Sequence, residues 1–510
     1  MTSQPFREDR NVVPRWRPLS RVLATGELSM PAETSKELDY GIPDELKARL
    51  EAWRKSNDVI TAAELVETAI VEGMEGEAEK AARTLTRPDS NAAPLVRKQA
   101  TMLLRRLNSD KLDLRTSVNI GDLRKHVHNF PDDPFSWADL ALGFVTIGKK
   151  NAAHKAMTVA LQLAPMDRHI LRSAARMYQH YGDPGRAHDL LKRNEATKSD
   201  PWLIAAEIAM ASLADRKPSF FKVGSAMLDD GDFPPLHVSE LASAIGTIHL
   251  RDGNRKARKL FGKSLLHPTG NSLAQAEWAN PLLGGEIVSS GQIDRVLDSG
   301  EARAFHTYWA GDFQSLLAVC EDWAEEEPFS SRPFVFGTFA AITLDEAELA
   351  TKSARRGLQL DPESLVLRNN LAYGLIAKGE LIEGSQLLRQ AMLKVKGEIS
   401  PGYLLATGGM LAIRLGDLEA GIAGYKSAMS VFKREGNRIA EAAAAAFLAL
   451  EVARAEGAMS NVFIKQAEAM SKDLRYSPEI KIVLDRAKRW EAVVRQRSGE
   501  MHTEGFGNAD

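Results

Sequence analysis

Apolar residues recur along most of the chain at intervals of three and four, a pattern typical of helices with one buried face. The clearest stretch begins at Pro134, where large, small and turn residues follow one another in a fixed order. These residues are Trp137, Leu140, Ala141, Phe144, Gly148, Ala153, Met157, Ala160 and Pro165. The order predicts two antiparallel helices, because small residues let backbones approach and Gly and Pro end helices.

The same order returns further along the chain, about 34 residues per copy. The next copy contains Leu171, Ala174, Ala175, Tyr178, Gly182, Ala187 and Leu191. Another clear copy contains Leu371, Ala372, Leu375, Gly379, Leu388 and Ala391. Looser copies lie between these two, and a further one follows around Gly409 to Ala428. Such repetition predicts an open array of helix pairs rather than one compact core.

Over roughly residues 100 to 475 the chain resembles the tetratricopeptide-repeat family. Its motifs are strongest at Pro134 to Pro165 and at Pro328 to Ala391. The resemblance implies an all-α solenoid, a right-handed superhelix of stacked antiparallel helix pairs. It also implies a concave surface that binds segments of other proteins, and it implies no reaction.

The pattern divides the chain into consecutive parts. They are an extended non-helical segment at 1–35, a helical half-array at 36–269, a degenerate junction at 270–296, a second half-array at 297–475, a capping helix at 476–496 and a disordered tail at 497–510. The junction is predicted because Asn280-Pro281 and Gly284-Gly285 interrupt the spacing. The tail is predicted because it is Gly-rich and polar, with little to bury.

Composition narrows the classes of protein. With 44% hydrophobic and 26% charged residues, the chain can bury enough apolar surface to fold over most of its length. A net charge of −2 gives no global preference for polyanions, so nucleic acid is not the expected partner. The single Cys320 cannot form an internal disulfide, and the N-terminus lacks the apolar core of a secretory signal. We therefore expect a cytoplasmic protein that does not cross a membrane.

The search for chemistry predicts no enzyme, cofactor or metal site. Gly262-Lys263-Ser264 matches the end of a phosphate-binding loop, but Ala257 stands where that loop needs its first glycine. Cys320 falls at a packing position of a predicted helix, where a buried thiol acts as a small apolar group. No nucleophile, base and orienting group come together in the pattern.

An aromatic row is the first candidate for partner binding. Phe305, Phe339 and Tyr373 recur one repeat period apart, at a position that the resemblance places on the concave groove. Trp309 and Tyr403 could extend the row. Aromatic side chains bury large areas at little entropic cost and could stack on a bound segment. The alternative is that they pack against neighbouring helices.

A basic stripe is the second candidate. Arg172, Arg176 and His180 are spaced at i, i+4 and i+8, which places them on one face of a helix. They could clamp an acidic or phosphorylated segment through charge-assisted hydrogen bonds. The alternative is a solvated face whose charges are paired with acids elsewhere in the chain.

The N-terminal segment carries the third candidate. Pro14 and Pro18 fix an extended backbone around Arg15, Trp16 and Arg17. The indole is too apolar for a disordered N-terminal segment, and the two guanidinium groups are well placed to form bidentate ion pairs with carboxylates. We therefore expect this segment to bind a protein surface. The segment either folds back on its own solenoid as a latch or serves as a docking peptide for a partner.

The leading hypothesis is a scaffold, adaptor or regulatory subunit that binds a segment of a partner protein in the concave groove of its solenoid. One alternative is an RNA-binding helical-repeat protein, since repeats of similar length read RNA bases. Another is a regulatory subunit of an enzyme complex with a cryptic N-terminal activity. The identity of the partner and the oligomeric state stay open at this stage.

Overall fold

The computed structural model describes residues 5–19, 44–71, 75–87, 90–109, 120–285, 287–296, 298–394, 399–455, 459–474 and 477–504. Within these ranges all regular structure is helical. Contacts group the chain into two units, one formed by residues 1–28 with 120–510 and the other by residues 29–119. The predicted all-α array of helix pairs is confirmed.

The smaller unit contains short helices around one apolar core. These helices are α1 (Asp44–Ser56), α2 (Val59–Val71), α3 (Glu79–Leu85) and α4 (Pro94–Ser109). Its core includes the buried side chains Leu46, Leu65, Leu85 and Leu103, with alanines that allow close approach of the helices.

The described residues of the larger unit form a series of consecutive helices. Its first part contains α5 (Ile120–Asn129), α6 (Pro134–Thr146), α7 (Lys150–Leu163), α8 (Arg168–His180), α9 (Pro184–Arg193), α10 (Pro201–Leu213), α11 (Phe221–Asp230), α12 (Pro235–Arg251), α13 (Lys256–Ser264), α14 (Gly270–Ala279) and α15 (Ser290–Ile293). Its second part contains α16 (Gly300–Ala310), α17 (Phe313–Glu326), α18 (Arg332–Leu344), α19 (Ala347–Leu360), α20 (Leu365–Lys378), α21 (Leu381–Lys394), α22 (Pro401–Arg414), α23 (Leu418–Arg434), α24 (Arg438–Ala455), α25 (Ser460–Ser471) and α26 (Pro478–Glu504).

Local signals explain where the helices begin and end. Asp133 and Asp200 each accept a hydrogen bond from a backbone N–H of the first turn, and proline follows at the first helical position. The helices α6 and α20 are followed by glycines with positive φ, +69° at Gly148 and +87° at Gly379. Glycine adopts that conformation without the steric cost that a Cβ atom adds.

Small residues set the spacing within a pair. A Cβ atom added to Gly409 of α22 would lie 2.8 Å from the carbonyl oxygen of Gly421 in α23, which is closer than real Cβ atoms approach. The two backbones can therefore touch only because both positions are glycine. This is the close approach that the repeat pattern predicts at these positions.

The junction predicted at 270–296 is wrong for its first part. Residues Gly270–Ala279 form α14, in which all residues are buried, and Thr269 and Ser272 form a capping box at its start. Helix α14 packs against α12 and α16, so the array continues through this region. The interruptions at Pro281 and Gly284 lie after the helix rather than inside it. The half-arrays 36–269 and 297–475 are therefore not the units of the structure, which divide near residue 119.

The C-terminal helix is longer than predicted. The capping helix expected at 476–496 begins at Pro478 and continues to Glu504. The prediction of a disordered tail at 497–510 is therefore wrong as far as Glu504, and residues 505–510 lie outside the described ranges.

Helix α26 also does more than cover the end of the array. Ile480 and Leu484 are buried in the same core as α24. The Arg486 guanidinium donates hydrogen bonds to the backbone oxygens of Ile342 (3.1 Å) and Thr343 (2.7 Å), at the end of α18. Because it meets α18, this arginine is buried rather than on a solvent face, contrary to the expectation for a simple cap.

The longest apolar run, 442–450, belongs to α24 and is buried beneath its neighbours. Across the described part of the chain, every helix is too short or too polar to cross a lipid bilayer.

Candidate functional site

Residues 5–19, here called the arm, lie along the helices of their own unit. After a single 3-10 turn at Pro5–Arg7 the arm has no regular secondary structure as far as Pro18, and its Val13 N–H donates to the backbone oxygen of Asn11 at 2.8 Å. From its first residue to its last it reaches α18, α16, α14, α12 and finally α6. The surface that these helices present to the arm is here called the inner groove.

Phe6 anchors the beginning of the arm. Its ring is 1% exposed and stacks on Tyr308 of α16, with ring centroids 3.9 Å apart and an angle of 6° between the planes. It meets Phe336 edge-on at 4.3 Å and Phe305 at 5.4 Å. An aromatic pocket of this kind stabilises the bound arm through the apolar area that it buries and through its stacked and edge-on ring contacts.

Side chains of α14 hold the backbone of the arm. The pairs are Trp278 Nε1 to the carbonyl oxygen of Glu8 (3.0 Å), Gln275 Nε2 to that of Arg10 (2.8 Å) and Asn271 Nδ2 to that of Val13 (2.9 Å). The backbone oxygen of Arg10 also accepts a hydrogen bond from the Arg251 guanidinium of α12 at 3.2 Å, so two helices of the groove supply donors to the backbone of the arm. The groove therefore binds the backbone of the arm as well as its side chains.

Glu301 is the electrostatic centre of the groove. Its side chain is 1% exposed and accepts a bidentate pair from Arg10, at 3.0 Å from Nε and 2.7 Å from Nη2. Arg15 of the arm and Arg332 of α18 also pair with it. Burial raises the pKa of the Glu301 carboxyl, but the charges of Arg10, Arg332 and Arg15 outweigh burial and hold that pKa well below its usual range.

The second half of the arm carries the side chains singled out in the sequence. Arg15 pairs with Glu327 as well as Glu301, and burial lowers the pKa of its guanidinium to about 10. Trp16 is 1% exposed and packs against Phe329, with ring centroids 5.7 Å apart. Arg17 pairs with Asp298 at 3.3 Å. The structure thus places the arm on its own solenoid, the first of the two alternatives.

Asp139 of α6 receives the end of the arm. Its Oδ1 atom accepts a hydrogen bond from the backbone N–H of Leu19 at 3.2 Å. Burial raises the pKa of this carboxyl to about 7, although the Leu19 hydrogen bond lowers it. In the unfolded chain the pKa returns to 3.8. The folded state therefore becomes less favourable as pH rises from about 4 to about 7, and the full cost is present above pH 7.

Asp139→Asn should stabilise the protein at pH 8, because the amide oxygen still accepts from Leu19 and carries no charge to desolvate. The increase in melting temperature should shrink as pH falls and vanish below about pH 4. Thermal unfolding of both proteins across this range measures it. Asp122→Asn at the exposed start of α5 serves as the control, and an equal pH-dependent gain there would contradict the assignment.

The residues of the aromatic row differ in what their side chains contact. Phe305 and Phe339 do reach a bound segment, but the segment is the arm, through Phe6 at 5.4 and 5.9 Å. Trp309 is half-buried and its Nε1 donates to the backbone oxygen of Glu277 at 3.1 Å.

The placement of Tyr373 and Tyr403 in an open groove is wrong. Tyr373 is 3% exposed and packs against Phe447 of α24, while Tyr403 is 7% exposed and packs against Phe432 of α23. Both rings fill the space between stacked helices, which is the alternative considered for them. Helix α24 covers Tyr373 through Phe447, and α26 packs against α24 and against the end of α18.

The basic stripe is not an exposed clamp. Arg172 is buried, lies over the Trp202 ring at 4.7 Å and pairs with Glu240 at 3.0 Å. Arg176 is also buried, and its guanidinium lies 4.8 Å from the centroid of Phe329.

His180, the third residue of the basic stripe, lies beside the site of Trp16. Its ring meets the edge of Phe329 at 5.5 Å, next to the contact that Phe329 makes with Trp16. Burial, followed by the charge of Arg176, lowers the pKa of His180 to about 4. The ring is therefore neutral at pH 7, and the proposal of a cationic clamp for an acidic ligand is wrong for this position.

Several residues that hold the arm were missed in the sequence. They are Asp139, Arg251, Asn271, Gln275, Trp278, Asp298, Glu301, Glu327 and Phe329. One signal was available, because Asn271 and Gln275 lie at i, i+4 and so share one face of a helix that also carries Leu273, Ala274 and Ala276. Buried polar groups need partners, so this face indicated something polar against it.

Gly262-Lys263-Ser264 and Cys320 both lie in packed helices, as the sequence predicts. Gly262, Lys263 and Ser264 lie within α13, and the Lys263 ammonium donates to the backbone oxygen of Leu228. Cys320 is buried in the core of α17, where burial raises the pKa of the thiol so that it stays protonated at pH 7.

Comparison with known proteins finds only distant structural similarity. No family model and no curated protein sequence matches the chain. The crystal structure of yeast Tom70 is similar at 13% identity and a TM-score of 0.33, covering 88% of this chain and 99% of that one. The crystal structure of the APC/C hetero-tetramer Cut9-Hcn1 is similar at 13% identity and a TM-score of 0.35, covering 87% and 92%. Since both scores are low, the fold assignment rests on the helix pairs of this chain.

Proposed function

We propose that this protein is a scaffold or regulatory subunit whose inner groove binds an extended segment of a partner protein, and that the arm occupies this groove until the partner displaces it. The observation that carries the proposal is the way in which the groove holds the arm. It donates side-chain hydrogen bonds to backbone carbonyls and receives Phe6 and Trp16 in pockets. These are the features by which a surface recognises a peptide.

The charge of the groove indicates the kind of segment. Glu301, Glu327 and Asp298 all face arginines of the arm. A partner segment that replaces the arm must supply cations to these buried carboxylates, since an unpaired buried charge is strongly unfavourable. We therefore expect a basic and aromatic protein segment.

The same charges disfavour the RNA-binding alternative. Buried carboxylates repel phosphate groups, whereas RNA binders line their grooves with cations. For the alternative of a cryptic N-terminal activity, the described residues bring together no group of three or more His, Cys, Asp or Glu that could hold a metal ion. We propose a non-enzymatic binding role, in the cytoplasm, where a free thiol is stable.

A two-chain version of the protein tests the proposal. Residues 1–30 and 31–510 are produced as separate chains in the same cells and purified through a tag on the shorter one. We expect the longer chain to be retained, because the groove contacts do not need a covalent link. A synthetic peptide of residues 4–19 should then release the tagged chain in a concentration-dependent manner.

The control peptide has the same composition in scrambled order, and a second carries Arg10→Ala with Trp16→Ala. Neither should compete. If residues 31–510 purify as a folded chain that neither retains residues 1–30 nor binds the native peptide, the groove does not recognise segments in trans and the proposal fails. Equal competition by the scrambled peptide would also contradict it.

A further inference from the structure

A second cleft shares no lining residue with the inner groove. It has a volume of about 360 Å³ and lies between α11 and α13, over the last turns of α12. Its floor is apolar and consists of Leu228, Ile245 and Leu260. The arm does not enter it, since the lining residues come only from these three helices.

One wall of the cleft is strongly basic. Lys256, Lys259 and Lys263 follow each other at i, i+3 and i+7 on α13, and so share one face of the helix. His249 of α12 lies beside them. Lys263 donates to the backbone oxygen of Leu228, which fixes it at the inner end of the cleft.

This wall has a local excess of positive charge. The chain as a whole has 66 basic and 68 acidic residues, but residues 253–276 contain five Lys or Arg and no Asp or Glu. Within the described residues, the ion pairs include none with Lys256, Lys259 or Lys263. On the opposite wall a single carboxylate, Asp229, lines the cleft. The cations are therefore not neutralised by the protein itself.

We propose that this cleft is a docking site for an acidic amphipathic segment of a partner protein. An aliphatic side chain of the segment lies on the floor formed by Leu228, Ile245 and Leu260. Its carboxylates lie at the ammonium groups of Lys256 and Lys259. The combination matches an interface with an apolar centre and a charged rim.

A nucleic acid fits this cleft less well than an acidic protein segment. Among the described residues that line it, none is a Phe, Tyr, Trp or Arg, so the cleft has no guanidinium fork for phosphate and only the His249 ring for base stacking. The apolar floor would be unused by a phosphate backbone, whereas an aliphatic side chain covers it.

Fluorescence anisotropy on the full chain tests the proposal. The probe is a labelled peptide with leucines at helical spacing and glutamates between them. The comparison probe has glutamine at every glutamate position. We expect the acidic probe alone to bind, with affinity that falls as salt is raised. Lys256→Glu with Lys259→Glu should weaken binding by about tenfold or more.

The matched control reverses the same number of charges elsewhere, with Lys155→Glu on α7 and Lys192→Glu on α9, both of which are exposed. It should change the affinity by less than about twofold, and the melting temperatures of both variants should equal that of the native chain.

Three results would overturn the proposal. They are equal binding of the glutamine probe, equal loss of binding in the control variant, and tighter binding of a single-stranded RNA than of the acidic peptide at the same salt concentration. Because the cleft and the inner groove share no residues, none of these results bears on the groove.

Discussion

Trp16→Ala is expected to lower the free energy of unfolding by about 3 to 5 kcal/mol, because a fully buried tryptophan leaves a large cavity when it is removed. The indole is 1% exposed and lies in the same core as Phe329 and the first helices of the larger unit. An N-terminal residue that made no tertiary contact could not have such an effect. Urea unfolding followed by circular dichroism measures it.

The matched control is Trp490→Ala in α26, where the same side chain is 38% exposed. That change should cost about 1 kcal/mol or less, as is usual for a surface substitution. Equal effects of the two substitutions, or no effect of Trp16→Ala, would show that the arm does not lie in the groove in solution.

Glu301→Gln is expected to be comparably destabilising, by about 3 to 5 kcal/mol, because it leaves buried cations without their counter-charge. Arg10 and Arg15 are 4% and 7% exposed and cannot turn to water while the arm stays bound. The loss should persist at high salt, since buried pairs are screened little.

Protonation of Glu301 should destabilise the folded protein only at very low pH. The pKa of Glu301 is held well below its unfolded value, so its contribution is present above about pH 4.5 and is lost only as pH falls through the lowered folded value. Glu383→Gln, which removes an exposed pair with Arg355, is the control and should cost less than about 1 kcal/mol. A loss at Glu301 no larger than at Glu383 would contradict the buried cluster.

The helix pairs could be predicted because their signals are local. Trp137, Gly148 and Pro165 report on helix packing, helix ends and turns within one repeat, and each repeat contacts mainly its neighbours. The junction was misplaced for the same reason. A proline and a glycine pair mark the end of α14, and a local pattern does not distinguish the end of one helix from the end of an array.

The position of the arm in the inner groove could not be predicted from local sequence patterns, because it depends on contacts between distant parts of the chain. Arg10 and Glu301 are separated by 291 positions, and neither has a neighbour in sequence that indicates the other. Pro14 and Pro18 indicated an extended segment that must bind something. They could not indicate whether its partner was this chain or another, since both would present the same carboxylates and aromatic rings.

A double-mutant cycle between Arg10 and Glu301 measures whether the arm and the groove interact in solution. The free energy of unfolding is determined for the native protein, for Arg10→Ala, for Glu301→Ala and for the double variant. The structure predicts that the two losses do not add and that the coupling energy is about 1.5 to 3 kcal/mol. Additivity within about 0.5 kcal/mol would mean that the two side chains do not meet, and the account of a groove filled by its own N-terminal arm would be wrong.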